Sequence, residues 1–166
     1  MQGDYFSHTV TLVIEHNRDG AFGLVINKAL NLDLAELLGN KIVRGQSNIT
    51  VLESGPVGQN KLFFLHTKEK MFESSLSIND KLALTTSLDI LDAISEQKGP
   101  CNILAGLGYA GWSGGQLENE IQANVWLVIP YLDDIVFNVP FDKRPEIAAN
   151  SIGVDLNLIS STPGHG

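Results

Sequence analysis

The sequence predicts a single α+β domain, and three observations carry that prediction. At 166 residues the chain has the length of one domain, enough to bury roughly two-thirds of its unfolded surface. A composition of 43% hydrophobic and 18% charged residues suits a packed core and excludes a disordered chain. The early strand-like runs sit side by side as a hairpin, whereas the later ones alternate with short helical segments. That order favours α+β over a regular βαβ repeat. With no linker, repeat or low-complexity stretch, one domain spans 1–166.

The elements follow in order. Thr9 to Glu15 and Phe22 to Asn27 are rich in β-branched and aliphatic residues, and the connector His16 to Gly20 ends in Asp-Gly. That is a hairpin signature. Asn31 is placed to cap a short helix from Leu32 to Leu38, which Gly39 ends. A loop to Asn48 follows, then strands at Ile49 to Glu53 and Lys61 to Leu65. Met71 to Asp80 reads as polar turn, and Lys81 to Thr85 as a short strand. Thr86 or Ser87, with Asp89, resembles a capping box for a helix with Leu88, Leu91 and Ile94 or Ala93 on its apolar stripe. Gly99-Pro100 stops it. Next come a strand at Asn102 to Leu107, a glycine-rich turn, a helix at Gln116 to Gln122, and strands at Val125 to Ile129 and Ile135 to Asn138. A last helix covers Lys143 to Ser151, with Pro145 in its first turn. The tail from Ser160 to Gly166 is expected to be irregular.

Composition narrows the function classes. The net charge of −8 repels phosphate backbones, and basic residues cluster nowhere beyond Lys68-Glu-Lys70 and Lys143-Arg144, so direct nucleic-acid binding is disfavoured. Apolar runs fall far short of the roughly 20 residues a membrane helix needs. Met1 to Phe6 lacks the basic and apolar regions of a signal peptide. The one cysteine, Cys101, fits a reducing compartment. A cytoplasmic protein is expected.

Two motifs invite catalytic readings. Gly106-Leu-Gly108-Tyr-Ala-Gly111 matches the dinucleotide fingerprint, with Asp133 or Asp134 about 20 residues on. In such a site, however, the helix begins inside the motif, and here Trp112-Ser-Gly-Gly115 delays it. Gly111-Trp-Ser113-Gly-Gly115 matches a nucleophile elbow, yet only His165 follows to serve as a base. The reading that remains for Ser113 is a cap for the following helix. The histidines His8, His16, His66 and His165 lack metal-ligand spacing, so neither a metal nor a cofactor is expected. Asp133-Asp134 reads as a solvated turn, and Cys101 as a small buried hydrophobe rather than a reactive thiol. Tyr109, Trp112, Gln116 and Glu120 are the candidate ligand or partner groove: Gln116 and Glu120 share a helix face, beside exposed aromatic surface. The competing reading buries the tryptophans and has Gln116 or Glu118 bond backbone groups at the turn.

The chain also resembles the AlgH/YqgE family. The residues that carry the likeness are Asp4-Tyr-Phe6, Glu15-His-Asn17, Gly20-Ala-Phe-Gly-Leu-Val-Ile-Asn27, Gly55-Pro-Val57 and Thr85-Thr-Ser-Leu-Asp-Ile-Leu91. To these add Leu107-Gly-Tyr-Ala-Gly-Trp-Ser-Gly-Gly-Gln-Leu-Glu118 and Gly164-His165. Two features depart from the family pattern: a family stretch that precedes Asp4 with a further strand, and a tryptophan where this chain has Pro145. The resemblance implies a bent, barrel-like, mostly antiparallel β-structure with short helices around it. It implies no catalytic residues. Some members are named as transcriptional regulators, a label drawn from an effect on exopolysaccharide production. The expectation is therefore a non-enzymatic protein that influences transcription indirectly, through a small ligand or a protein partner and not through nucleic acid or membrane. The alternative is an enzyme of unknown reaction that uses the Gly106–Glu120 turn and helix as a ligand cradle.

Overall fold

The computed structural model describes residues 8–39 and 49–155. The expectations for Asp4 to Phe6, for the loop 40–48 and for the tail with Gly164-His165 lie outside the described residues. In chain order the elements are β1 (Thr11–Asn17), β2 (Gly20–Val25), β3 (Ala29–Asp33), α1 (Leu34–Leu37), β4 (Thr50–Glu53), β5 (Val57–Thr67), β6 (Ser75–Ser77) and β7 (Leu82–Thr85). There follow α2 (Asp89–Ser95), β8 (Ile103–Ser113), α3 (Gln116–Gln122), α4 (Asp133–Phe137) and α5 (Arg144–Asn150). The fold is α+β, with mostly antiparallel strand pairs and short helices. No described helix is long and apolar enough to cross a membrane. The described residues divide into two compact units, one of residues 8–28, 54–57 and 109–155, the other of 29–39, 49–53 and 58–108.

In the first unit, β1 and β2 form the predicted hairpin, with a tighter turn than the five-residue connector suggested. Asn17 pairs with Gly20, which leaves only Arg18 and Asp19 at the tip. Gly20 has φ +145°, and a Cβ there would lie 2.4 Å from the Trp112 carbonyl oxygen, so no side chain fits. β2 pairs antiparallel with the second half of β8, placing Ala21 opposite Trp112 and Gly23 opposite Ala110. Val25, Ala110, Trp112 and Leu117 make this unit's core, with Ile121 and Trp126 packed against it.

Three predictions are corrected here. The glycine-rich stretch Gly106 to Ser113 is strand rather than turn, and the turn is only Gly114-Gly115. Val125 to Ile129 is no strand: the chain runs there without ladder partners. Ile135 to Asn138 is no strand either, because Asp133–Phe137 is helix α4. Asp133 and Asp134 fill its first turn, where carboxylates favour the positive end of the helix dipole, and Ile135 and Val136 are buried. The predicted last helix is present as α5. Its first residue, Arg144, is buried, donating Nε–H to the Val139 carbonyl at 2.9 Å and Nη1–H to the Ile26 carbonyl, with its guanidinium over the Phe141 ring. Burial lowers its pKa to about 10, so it stays charged at neutral pH.

In the second unit β3 pairs antiparallel with β4, and β4 pairs parallel with the first half of β8. β5, β7 and β6 form an antiparallel set. Leu34, Val51, Phe64, Ile90, Leu91, Ile94 and Ala105 build the core. Full burial of each large side chain contributes roughly 1.5–3 kcal/mol. The predicted first helix starts later than expected, since Asn31 lies in β3 and Asp33 is the cap that accepts from Glu36 N–H at 2.8 Å. Part of the expected turn 71–80 is strand β6. In α2 the stripe is Ile90, Leu91, Ala93 and Ile94, while Leu88 is 65% exposed. The Ser87 and Asp89 side chains do not cap α2 as a box. They accept the N–H groups of Ser74 and Glu73.

Candidate functional site

Of the four residues expected to form a groove, the structure brings three together. Trp112 donates its indole N–H to Glu120 Oε1 at 3.0 Å, and Gln116 donates an amide N–H to Glu120 Oε2 at 3.0 Å. The register explains the meeting. Trp112 is the penultimate residue of β8, Gly114-Gly115 reverses the chain, and Gln116 and Glu120 are one helical turn apart on α3. The turn is close enough that a Cβ on Gly114 would lie 2.6 Å from the Arg18 carbonyl oxygen. Tyr109 is elsewhere, packed edge-on against Phe22 with ring centroids 5.4 Å apart.

The three form a hydrogen-bonded clamp, and Gln116 and Glu120 also line an open hollow with Ser113, Asn119 and Ala123. Trp112 is only 7% exposed. Trp126, absent from the expected set, also donates its indole N–H to Glu120 Oε1, at 2.9 Å, and meets Trp112 edge to face at 6.0 Å between centroids. One carboxylate thus holds both tryptophans of the chain. Gln116 Oε1 accepts the Ser113 backbone N–H and hydroxyl at 3.0 and 3.2 Å. Ser113 therefore gives its proton to an amide oxygen, and its side chain does not cap α3. The Gly106 to Gly111 amides belong to a strand that pairs with β2 and β4, not to a helix N-terminus facing a pyrophosphate.

What the clamp fixes is the wall of a cavity in the first unit, with a volume of about 340 Å³. Both indoles, Leu117 and Ile121 of α3, Ile135 and Val136 of α4, and β1 residues 11–13 line it. The run Leu127 to Leu132, predicted to begin as strand, lines it too. Here an apolar run signals a pocket wall instead of a ladder. Polar side chains on the lining are few: His16, Thr11 and Tyr131. His16 Nε2 lies 3.0 Å from Glu118 Oε1, an interaction that lowers the Glu118 pKa. Burial, then the neighbouring Asp133 carboxylate, pushes the Tyr131 hydroxyl up to about 12.

Two features of the second unit complete the chemical inventory. His66, fully buried, has Nδ1 2.8 Å from the Thr67 carbonyl and Nε2 2.6 Å from Thr85 Oγ1. A carbonyl only accepts, so Nδ1 carries the hydrogen and Nε2 accepts from Thr85. Thr85 Oγ1 then accepts from Ser75 (2.7 Å), whose oxygen accepts the Phe72 N–H at 2.7 Å. The chain of donors is directional and satisfied along its length, which marks it as structural. Burial lowers the His66 pKa. Cys101, expected to be buried, is exposed, and the Glu69 carboxylate beside it raises its thiol pKa.

The AlgH-like family model matches residues 1–157. The chain belongs to the AlgH-like family. A UPF0301 protein of Thioalkalivibrio sulfidiphilus is 42% identical over 163 residues, covering 96% of this chain and 88% of that protein. A UPF0301 protein of Pseudomonas fluorescens is 40% identical, covering 96% and 87%. Among solved structures, the solution structure of AlgH from Pseudomonas aeruginosa superposes with a TM-score of 0.78 at 40% identity, covering 95% of this chain and 86% of that one. A Corynebacterium diphtheriae protein at 21% identity shares the fold, with a TM-score of 0.65 over 84% and 74% of the two chains. The family resemblance carried by Gly20 to Asn27 and Leu107 to Glu118 is thereby established.

Proposed function

We propose that this AlgH-like protein works without catalysis in the cytoplasm, by holding a small, largely apolar molecule in the cavity behind Trp112 and Trp126. Any effect on transcription is then exerted through the liganded protein rather than by contact with DNA. The observation that carries the reading is the cavity itself. Its volume of about 340 Å³ lies in the range of small-molecule sites, and its apolar wall with few polar groups is their usual composition. The Glu120 clamp adds rigidity, since walls held before binding cost less entropy on association. The net charge of −8 supports the exclusion of DNA.

The test is a thermal-shift screen of apolar metabolites on the wild type and on Ile121→Trp, which fills the cavity. A ligand at a hundred times its Kd stabilises by about 2.7 kcal/mol, or roughly 5–10 °C for a chain of this length. The expected hit loses its shift in Ile121→Trp. A hit that shifts both proteins equally places the ligand elsewhere, and a blank screen on folded protein counts against the reading.

A further inference from the structure

The chemistry of the lining and rim narrows the ligand class, resting on the reading of the cavity as a ligand site. Among the described residues that line the cavity there is no lysine or arginine. Its two titratable groups are each backed by an acid. His16 is paired with Glu118 at 3.0 Å, and the Asp133 carboxylate neighbours the Tyr131 hydroxyl. Both indole N–H groups are directed at Glu120, so the tryptophans offer the cavity carbon edges and π faces.

A carboxylate or phosphate head would find no cation on this wall and would stand beside two acids. A neutral hydroxyl head could donate a hydrogen bond to them but carries no charge for them to attract. An ammonium head is attracted by the carboxylates, while the indole faces pack against its apolar body. The acidity of the whole chain acts in the same direction. We propose that the ligand is an amphiphilic organic cation, with its apolar body between the tryptophans and α4 and its ammonium head at the rim marked by Glu118 and Asp133.

Three ten-carbon probes separate the possibilities: decyltrimethylammonium, decanol and decanoate. Each is titrated below its micelle concentration at pH 7.5 and followed by tryptophan fluorescence, with Ile121→Trp as the blocked control. The expected order is cation tightest, by about tenfold over decanol, with decanoate weakest. The double variant Glu118→Gln/Asp133→Asn should bring the cation within about threefold of decanol while decanol binding stays unchanged. Decanoate binding as tightly as the cation, or a cation preference that survives the double variant, overturns this inference. Binding of all three without preference overturns it too and leaves the pocket reading standing. No blockable binding by any probe defeats the pocket reading itself.

Discussion

Replacing Glu120 by alanine removes one carboxylate and three donors' acceptor at once. The cost can be worked from exposure. Trp112 is 7% exposed, so its N–H has little access to water once Oε1 is gone, and a lost bond to a charged group contributes about 1.5–3 kcal/mol. Trp126 and Gln116 are half-buried and can turn to solvent, adding a few tenths each. Glu120→Ala should therefore destabilise the fold by roughly 2–4 kcal/mol. Glu120→Gln, which retains an oxygen, should cost about 1 kcal/mol. Glu118→Ala on the exposed face of the same helix should leave the unfolding transition close to that of the wild type. Urea denaturation followed by tryptophan fluorescence measures all three, with the reporters inside the clamp. If Glu120→Ala unfolds within 0.5 kcal/mol of the wild type, the indoles do not depend on this carboxylate and the clamp is wrong.

Three further outcomes are expected. Because burial lowers the His66 pKa below its ordinary 6.5, the unfolded chain takes up a proton first as pH falls. Stability should thus be full above pH 6.5 and decline below it, with a limiting slope of about 1.4 kcal/mol per pH unit. Denaturation at pH 7.5 and 5.5 should show a smaller drop for His66→Gln, and an unchanged drop would clear His66 of any part. A Cβ on Gly55 would lie 1.8 Å from the Tyr109 carbonyl carbon, so Gly55→Ala should cost about 3 kcal/mol by the same denaturation assay; wild-type stability would contradict the packing. At Cys101, Glu69→Gln removes the charge that raises the thiol pKa. Alkylation by iodoacetamide at pH 8 should then quicken severalfold, and an unaltered rate would show that Glu69 does not control the thiol.

Local chemistry made some elements legible. The first hairpin followed from its β-branched runs and Asp19-Gly20, the end of α2 from Gly99-Pro100, and α5 from Pro145 in its first turn. The misread segments share a cause, which is that tertiary surroundings decided between readings of similar local strength. Gly106, Gly108 and Gly111 suggest a turn, yet they lie in a long strand to which other backbone comes close, as Gly55 does at Tyr109. Ile135-Val-Phe137 has strand-forming residues, but an acidic first turn and two buried side chains make it helix. Asp133-Asp134 was the available sign of that helix. At the candidate site, the Gln116/Glu120 spacing on one helix face was readable, and so was their proximity to Trp112. That Trp126 joins them was not, because the link depends on the path of an unpaired segment. Tyr109 was misplaced because the intervening residues were taken as turn, whereas strand geometry sends it against Phe22.

The sharing of Glu120 Oε1 by two indoles ties together parts of the chain that could otherwise open separately. The end of β8, helix α3 and the segment at Trp126 meet on one oxygen atom. The buried Trp112 hydrogen should exchange with deuterium only when the clamp opens, and the half-buried Trp126 hydrogen sooner. Substitutions at position 120 consequently act on three segments together, and no replacement at a single tryptophan can compensate for them.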